Sequence, residues 1–278
     1  MTRAGRQFEQ LLRVMAKLRG AHGCPWDKEQ THASLLASFR EEMCEYIDAV
    51  EDNDSAAMCE ELGDLFLHLV FQARIASEHK TFTVADALDG IVRKLIRRHP
   101  HVFGTTKVRH ARDVLENWEQ IKKKEKGGHA RPSALDGVPR SLSALSAAHT
   151  LQKKARRAGF DWRHVDQVLA KVDEELGELR AAMRSRNRRA VAAEMGDLLF
   201  SIVNVSRFVD VEPEQALRGT IRKFNQRFRA VEQRVHARGV RMNDLSLEEL
   251  DALWNKVKRA ERRPRKRHPR TDAKTGNS

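Results

Sequence analysis

The sequence has few cysteines, few aromatic residues and no long hydrophobic run. Its three cysteines are an odd number and form no CxxC pair, so neither a disulfide framework nor a thiolate zinc site is supported. The longest apolar stretches, such as residues 65–71, are interrupted by polar residues and are far shorter than the ~20 residues that a membrane span needs. Residues 1–20 lack the continuous apolar segment of a secretory signal. We therefore expect a cytoplasmic protein without a membrane-spanning segment.

The charge balance is strongly positive. The chain carries 52 Lys and Arg against 39 Asp and Glu, a formal net charge of +13. Such a balance favours anionic partners, which include nucleotides, nucleic acids and acidic surfaces, without choosing among them. The last twenty residues, 259–278, hold eight Lys or Arg and two Asp or Glu and show no apolar periodicity. We expect this basic tail to be solvated and disordered.

The apolar residues follow helical periodicity throughout. Helices are predicted at residues 34–50, 56–78, 84–98 and 114–124 in the first half and at 142–157, 165–184, 190–208, 213–237 and 247–259 in the second. We find no run of alternating residues that would predict a β-strand. The adjacent glycines and the proline between residues 127 and 133 indicate a linker. The predicted fold class is all-α.

The two halves repeat the same motifs. The pattern E-E-x-x-E at residues 41–45 recurs at 174–178, and E-x-x-D at 61–64 recurs at 194–197, both 133 positions later. The four tryptophans also form two pairs across the halves. This repetition indicates a duplicated unit. We predict one helical domain at residues 1–126, a linker at 127–133, a second domain at 134–260 and a basic tail at 261–278.

The repeated carboxylates predict a metal site. Residues three or four apart share one face of a helix, so each motif places its carboxylates side by side. A short connection makes the two helices antiparallel and brings both pairs together. Converging carboxylates repel one another unless a cation lies among them, and all-oxygen ligation suits Mg²⁺ or Mn²⁺. The candidate ligands are Glu42, Glu45, Glu61 and Asp64 in the first half and Glu175, Glu178, Glu194 and Asp197 in the second.

A solvated helix face is the alternative explanation for any single E-x-x-E. Identical spacing in both halves argues against it, as do Gly63 and Gly196 inside helical segments. A glycine within a helix costs about 1 kcal/mol relative to alanine, so its repetition suggests close approach of another element. A di-iron site is disfavoured because it would need His at the fourth position. The nearest histidine, His68, has Ser201 as its counterpart.

Repeated cations and tryptophans supply a candidate phosphate and base site. They are Lys94, Arg98, Trp118 and Lys122 in the first half and Lys223, Arg227, Trp254 and Lys258 in the second. Lys and Arg bind phosphate oxygens, and a tryptophan can lie against a base. The alternatives are a solvated face for the cations and core packing for the tryptophans. No Gly-rich phosphate loop is present. Asn204, where the first half has Phe71, could hydrogen-bond ribose or base.

Nucleophilic catalysis is weakly supported. No G-x-S-x-G motif occurs, and Cys44 and Cys59 lie near the acidic motifs without counterparts in the second half. We interpret both cysteines as small core residues.

Together these motifs resemble the MazG family of the all-α NTP pyrophosphatase superfamily. The resemblance covers about residues 8–260 and includes CPWD at 24–27, RRHPHVFG at 97–104, ENWEQIK at 116–122, GFDW at 159–162 and EMGDLLF at 194–200. It implies Mg²⁺-dependent homodimers of helical bundles. They would hydrolyse NTPs and dNTPs between the α and β phosphates to NMP and pyrophosphate, with low base selectivity.

The resemblance also assigns roles to residues. Glu175, Glu178, Glu194 and Asp197 match the Mg²⁺ ligands, and Lys223, Arg227, Trp254 and Lys258 match the substrate side. Glu174 or Glu175 would take the proton from water. The first half offers the corresponding set, with Glu41 beside it. The family implies that the second half is the better catalytic unit and that the first is weak or regulatory.

Two other classes of function remain as alternatives. The first is a non-catalytic nucleotide sensor or protein-binding helical module, against which the complete ligand set in both halves counts. The second is nucleic-acid binding through the basic charge, which predicts affinity that falls steeply with salt. Most of the clustered positive charge lies in the tail, which disfavours this second alternative.

Overall fold

The fold is all-α, as predicted. The computed structural model describes residues 1–110, 113–114, 117–118, 121, 125 and 133–261, and these residues contain helices and no strand. The chain divides into two compact units, Met1–Ala130 and Arg131–Ser278. No helix in the described ranges is long and apolar enough to cross a membrane.

The first unit is built around a helical hairpin. Its helices are α1 (Arg3–Leu18), α2 (Pro25–Glu29), α3 (Leu36–Asp52), α4 (Ser55–Glu78), α5 (Val84–Arg98) and the short α6 (Pro100–Phe103). Helix α3 ends at Asn53, which adopts the left-handed conformation with φ 56°. The next residue, Asp54, caps α4 by accepting hydrogen bonds from the backbone N–H groups of Ala56 and Ala57. This two-residue connection sets α3 and α4 antiparallel and in contact.

Helix α1 supplies part of the core of the first unit. It packs against α4, and a buried cluster joins Met15 of α1 with Leu35, Val70, Phe71 and Ile75. Met15 is only 1% exposed. Helix α1 was not among the helices predicted from the sequence.

The second unit repeats the hairpin. Its helices are α7 (Ala144–Arg157), α8 (Val165–Ser185), α9 (Arg188–Phe208), α10 (Pro213–His236) and α11 (Leu247–Glu261), with a 3₁₀ turn at Met242–Asp244. Arg186 takes the left-handed conformation of Asn53, and Asn187 caps α9 as Asp54 caps α4. Helix α9 packs against α7 and α8, and α10 packs against α7 and α11. A small core of Val231, Val235, Leu253 and Val257 joins α10 to α11.

The predicted helices agree with the structure to within three residues at the ends that are described. The described residues of the predicted helix 114–124 are helical. The linker at 127–133 lies almost wholly outside the described residues, and Lys122 and residues 262–278 lie outside them too. The interpretation of Cys44 and Cys59 as core residues is wrong, since both are exposed.

Candidate metal and nucleotide site

The second unit brings three of the predicted metal ligands together. Carboxylate oxygens of Glu175 on α8 and of Glu194 and Asp197 on α9 all lie within 4.8 Å of one another. Glu175 is 5% exposed. Its Oε1 lies 2.8 Å from Lys171 Nζ, whereas its buried Oε2 has no hydrogen-bond partner among the described residues. A cation at this place would neutralise the converging negative charges and would bind this unpaired oxygen.

The two remaining glutamates of the motif lie beside this group. The pKa of Glu178 is raised, chiefly by desolvation and then by the charges of Glu175 and Glu194. Glu174 is exposed and accepts a hydrogen bond from Lys171 Nζ at 2.8 Å. These two bonds, to Glu174 and Glu175, raise the pKa of Lys171.

Lys171 is a site residue that the sequence analysis missed. Its position one turn before Glu175 is the signal that could have indicated it, since residues three and four apart on a helix pair readily. The repeat does not carry that signal, because the counterpart in the first unit is Ser38.

The first unit gathers a similar but different set. Carboxylate oxygens of Glu42, Glu45 and Glu61 lie within 4.8 Å of one another. The pKa of Glu61 is raised by desolvation first and then by Glu45, Glu42 and Asp64. Asp64 is therefore close enough to act on Glu61 electrostatically, although it is outside the closest group. Glu41 is exposed on α3.

Both groups have the chemistry of a hard-cation site. Each offers carboxylate oxygens alone, without a histidine or cysteine in the set, which matches the ligands that Mg²⁺ and Mn²⁺ take. In the second unit the buried, unpaired Glu175 Oε2 adds an acceptor that water does not reach. The residues present therefore fit a divalent metal ion.

The glycines of the E-x-G-D motifs do not have the neighbour that we expected. A Cβ built on Gly63 or on Gly196 would meet no other described atom within 4 Å. The expectation of a close element within the chain is therefore wrong for the described residues. Both glycines instead lie on an open surface next to the carboxylates.

A cavity of about 590 Å³ adjoins the carboxylates of the second unit. One part of its wall is polar and includes Lys171, Glu175 and Asp197. Another part is apolar or aromatic and includes Leu151, Phe160, Trp162 and Phe200. A volume of this size accommodates a small-molecule ligand. With a divalent cation among these carboxylates, the division of its lining would suit a ligand with an anionic end and a flat, mostly apolar end.

A buried arginine organises the cavity wall. Arg207 on α9 is 8% exposed, and its guanidinium pairs with the carboxylate of Asp161, with Nη1 donating to Oδ2 at 3.0 Å. Asp161 lies in the connection between α7 and α8, between Phe160 and Trp162. Arg207 also donates to Asn204 Oδ1, from Nε at 3.1 Å and from Nη2 at 2.8 Å. This network ties the aromatic loop to the helix that carries Asp197.

The corresponding place in the first unit is filled. Phe71, the counterpart of Asn204, is 4% exposed and belongs to the core cluster. Arg19, the residue after α1, lies with its Cζ 5.3 Å from the centre of the Phe71 ring. Arg19 also pairs with Glu78 at 2.7 Å. A buried aromatic ring beside a paired arginine thus stands where the second unit has the amide of Asn204.

Each of the two predicted substrate arginines lies against a predicted tryptophan. Arg227 pairs with Glu261 at 2.8 Å and lies 5.8 Å from the centre of the Trp254 ring. Arg98 repeats this in the first unit, pairing with Glu125 at 2.5 Å and lying 5.2 Å from the Trp118 ring. The hydrogen bonds that Glu125 accepts from Arg98 and Arg97 lower its pKa to about 2.

None of the substrate residues of the second unit other than Asn204 lines the cavity. Lys223 is exposed, and Lys258 and, in the first unit, Lys94 are half-buried. The repeat predicted Lys223, Arg227, Trp254 and Lys258 beside the carboxylates, but none of these four residues lines the cavity that adjoins them. Their role toward substrate stays a prediction.

Comparison with known proteins identifies the family. The model of the MazG nucleotide pyrophosphohydrolase domain matches residues 30–103 and 163–231, one segment in each unit. The chain is 43% identical over 258 residues to the nucleoside triphosphate pyrophosphohydrolase/pyrophosphatase MazG of Thermotoga maritima, which covers 93% of this chain and 98% of that protein. It is 42% identical over 258 residues to the nucleoside triphosphate pyrophosphohydrolase of Escherichia coli K12, covering 92% and 98%. The resemblance inferred from the motifs is confirmed: the chain belongs to the MazG family.

Proposed function

We propose that this chain is a nucleoside triphosphate pyrophosphohydrolase that converts NTPs and dNTPs to NMP and pyrophosphate. One observation carries the proposal: in the second unit, the three clustered carboxylates adjoin a cavity that has one polar and one aromatic part. The names of the two relatives support the same reaction.

The proposed cofactor is Mg²⁺, with Mn²⁺ as a possible substitute. Glu175, Glu194 and Asp197 would hold it, with Glu178 beside them. When bound, such an ion neutralises phosphate charge and makes water more acidic. Glu174 lies next to the group without belonging to it and is the proposed proton acceptor. Lys171, which contacts both Glu174 and Glu175, would keep these carboxylates in place.

The second unit is proposed to carry most of the turnover. Only one of the two units has an amide at the position of Asn204, and the first unit has the buried ring of Phe71 there. The first unit retains its three clustered carboxylates, which favours a role in binding metal or in regulation.

A homodimer is proposed because the same apolar stripe is exposed in both units. Leu62, Phe66 and Leu69 on α4 are 43–55% exposed, and their counterparts Met195, Leu199 and Ile202 on α9 are 44–48% exposed. Contiguous apolar surfaces of this kind mark protein interfaces. A second copy seated on these faces would also lie over the open surfaces at Gly63 and Gly196.

The dimer is tested by light scattering on Leu199→Glu. The variant is expected to be monomeric, since it places a charge on the apolar stripe. Leu247→Glu is the matched control, because Leu247 is 77% exposed and lies outside the stripe. A monomeric wild-type protein would contradict this part of the proposal.

Product analysis tests the reaction itself. Purified protein with dNTPs and Mg²⁺ should yield dNMP and pyrophosphate in equal amounts, and EDTA should abolish both. Release of dNDP with phosphate would contradict the assignment. Binding of nucleotide without any turnover would instead favour the non-catalytic sensor. Duplex binding that falls steeply with salt and survives loss of the carboxylates would favour the nucleic-acid alternative. A cytoplasmic location is part of the proposal, and the free state of the three cysteines supports it.

A further inference from the structure

We propose that Asn204 reads the Watson–Crick edge of the nucleobase, and that Arg207 and Asp161 hold its amide in the orientation that this requires. The inference rests on the proposed function, because it assigns the aromatic part of the cavity to the base of the nucleotide. Asn204 is the contacting residue, and Arg207 and Asp161 are positioning residues.

The amide of Asn204 has a fixed polarity. Its Oδ1 accepts two hydrogen bonds from Arg207, at 3.1 and 2.8 Å. An arginine carries donors and no acceptor, so the amide oxygen rather than the nitrogen must face it. Arg207 is itself held by its pairing with Asp161. The side chain of Asn204 therefore presents N–H donors to the cavity that it lines.

Asn204 lies at the right distance from the carboxylates for this role. It follows Asp197 by seven residues on α9, which is two turns and about 10 Å along the helix axis on the same face. Both residues line the cavity. A nucleotide whose phosphates lie at Asp197 would extend its base along the helix toward Asn204.

The surroundings of Asn204 suit a base. Phe160, Trp162 and Phe200 line the same cavity, and aromatic rings stack on any base because every base has a π-face. Phe160 is 83% exposed and Trp162 is 44% exposed, although both are large and apolar. The pairing of Asp161 with Arg207 ties the loop that carries them to α9. A flat, apolar partner between these rings would explain their exposure.

The first unit provides an internal comparison. Phe71 replaces Asn204 and offers no hydrogen bond, and Arg74, the counterpart of Arg207, donates to Glu78 at 2.9 Å instead. Both changes remove the fixed amide in the unit where Phe71 is buried in the core. The amide and its positioning arginine thus occur together with the cavity.

The test compares two ligands that differ at one position of the base. UTP carries an oxygen at C4, which accepts a hydrogen bond, whereas CTP carries an amino group there, which donates one. Asn204→Asp keeps the shape of the side chain and replaces the donor with a carboxylate. Calorimetry with the α,β-methylene analogues of UTP and CTP measures the dissociation constants without hydrolysis. We expect the ratio of the two dissociation constants in Asn204→Asp to shift toward the CTP analogue by about tenfold or more relative to the wild-type protein.

Two further variants complete the experiment. Gln233→Glu is the charge-matched control, because Gln233 is exposed on α10 and the ratio should stay at its wild-type value. Asn204→Ala removes the donor without adding charge, and it should weaken the UTP analogue more than the CTP analogue while the melting temperature stays within a few degrees. It keeps the inference testable if Asn204→Asp does not fold.

Two results overturn the inference. They are an unchanged ratio in folded Asn204→Asp, which includes an equal loss for both analogues, and an unchanged affinity for the UTP analogue in Asn204→Ala. Hydrolysis of unmodified UTP to UMP and pyrophosphate is measured in parallel. Its absence would refute the proposed function alone, because the binding ratio is independent of turnover.

Discussion

The substitution Glu175→Gln should remove the metal-dependent stability of the second unit. Glu175 is the most buried member of its group, and its Oε2 has no hydrogen-bond partner among the described residues. Glutamine keeps the shape and can still accept the hydrogen bond from Lys171, which lies 2.8 Å from Oε1. The change therefore removes a charge from the metal site with little disturbance of packing.

The expected magnitude follows from linkage. Loss of a residue that only supports a metal ligand costs about 10–100-fold in affinity, so loss of a ligand should cost at least about 100-fold. At a metal concentration of 100 times Kd, wild-type protein gains about 2.7 kcal/mol of stability from binding. For a unit of this size that gain corresponds to roughly 5–15 °C in Tm.

Scanning calorimetry across a Mg²⁺ or Mn²⁺ titration measures this effect. Wild-type protein should show the metal-dependent rise in Tm, and Glu175→Gln should lose the part that belongs to the second unit. Glu42→Gln, the counterpart in the first unit, should lose only the part that belongs to the first. The reasoning is refuted if Glu175→Gln keeps the full rise at the same metal concentration.

Two further predictions concern the metal-free protein and the open glycine. The raised pKa of Glu178 means that its ionisation destabilises the folded state. The contribution of Glu178 to stability is therefore most favourable below its ordinary pKa of 4.5 and is lost as the pH rises through the folded-state value. In EDTA, Glu178→Gln should therefore melt above the wild type at pH 7, and the difference should vanish in acid; a lower Tm at pH 7 would contradict this. Gly196→Ala should stabilise the metal-free protein by about 1 kcal/mol, since nothing described lies within 4 Å of the added Cβ. The same variant should weaken dimerisation or turnover, and unchanged values of both would show that Gly196 lies at neither surface.

The carboxylate groups could be predicted from the sequence because their geometry is local. Glu61 and Asp64 share a face through helical periodicity alone, and a two-residue connection makes the paired helices antiparallel. The repetition at a constant offset then distinguished these residues from other charged positions. The same reasoning predicted the helices of both hairpins.

The cavity could not be predicted, because it depends on contacts between distant segments. Asp161 and Arg207 are 46 positions apart, and no local pattern indicates that they pair. Gln152 likewise reaches α9 by donating to the carbonyl oxygen of Phe200 at 2.8 Å. Arg74, the counterpart of Arg207, pairs with Glu78 instead, so the repeat does not reveal the network either.

The repeated cations show what repetition can and cannot establish. The recurrence of Arg98 with Trp118 and of Arg227 with Trp254 correctly indicates a shared arrangement. It does not indicate which other residues contact each arginine and tryptophan. Glu125 and Glu261, which pair with these arginines, lie beyond the motifs that the sequence analysis compared.

The central claim is that the three clustered carboxylates of the second unit and the adjoining cavity carry out the hydrolysis of NTPs. It is tested most directly by steady-state kinetics of Glu175→Gln and Glu42→Gln with each NTP and Mg²⁺, with NMP and pyrophosphate measured as products. We predict that Glu175→Gln lowers kcat/KM by about 100-fold or more for every NTP, whereas Glu42→Gln changes it less than about threefold. Undiminished activity in Glu175→Gln, or an equal loss in both variants, would contradict the claim.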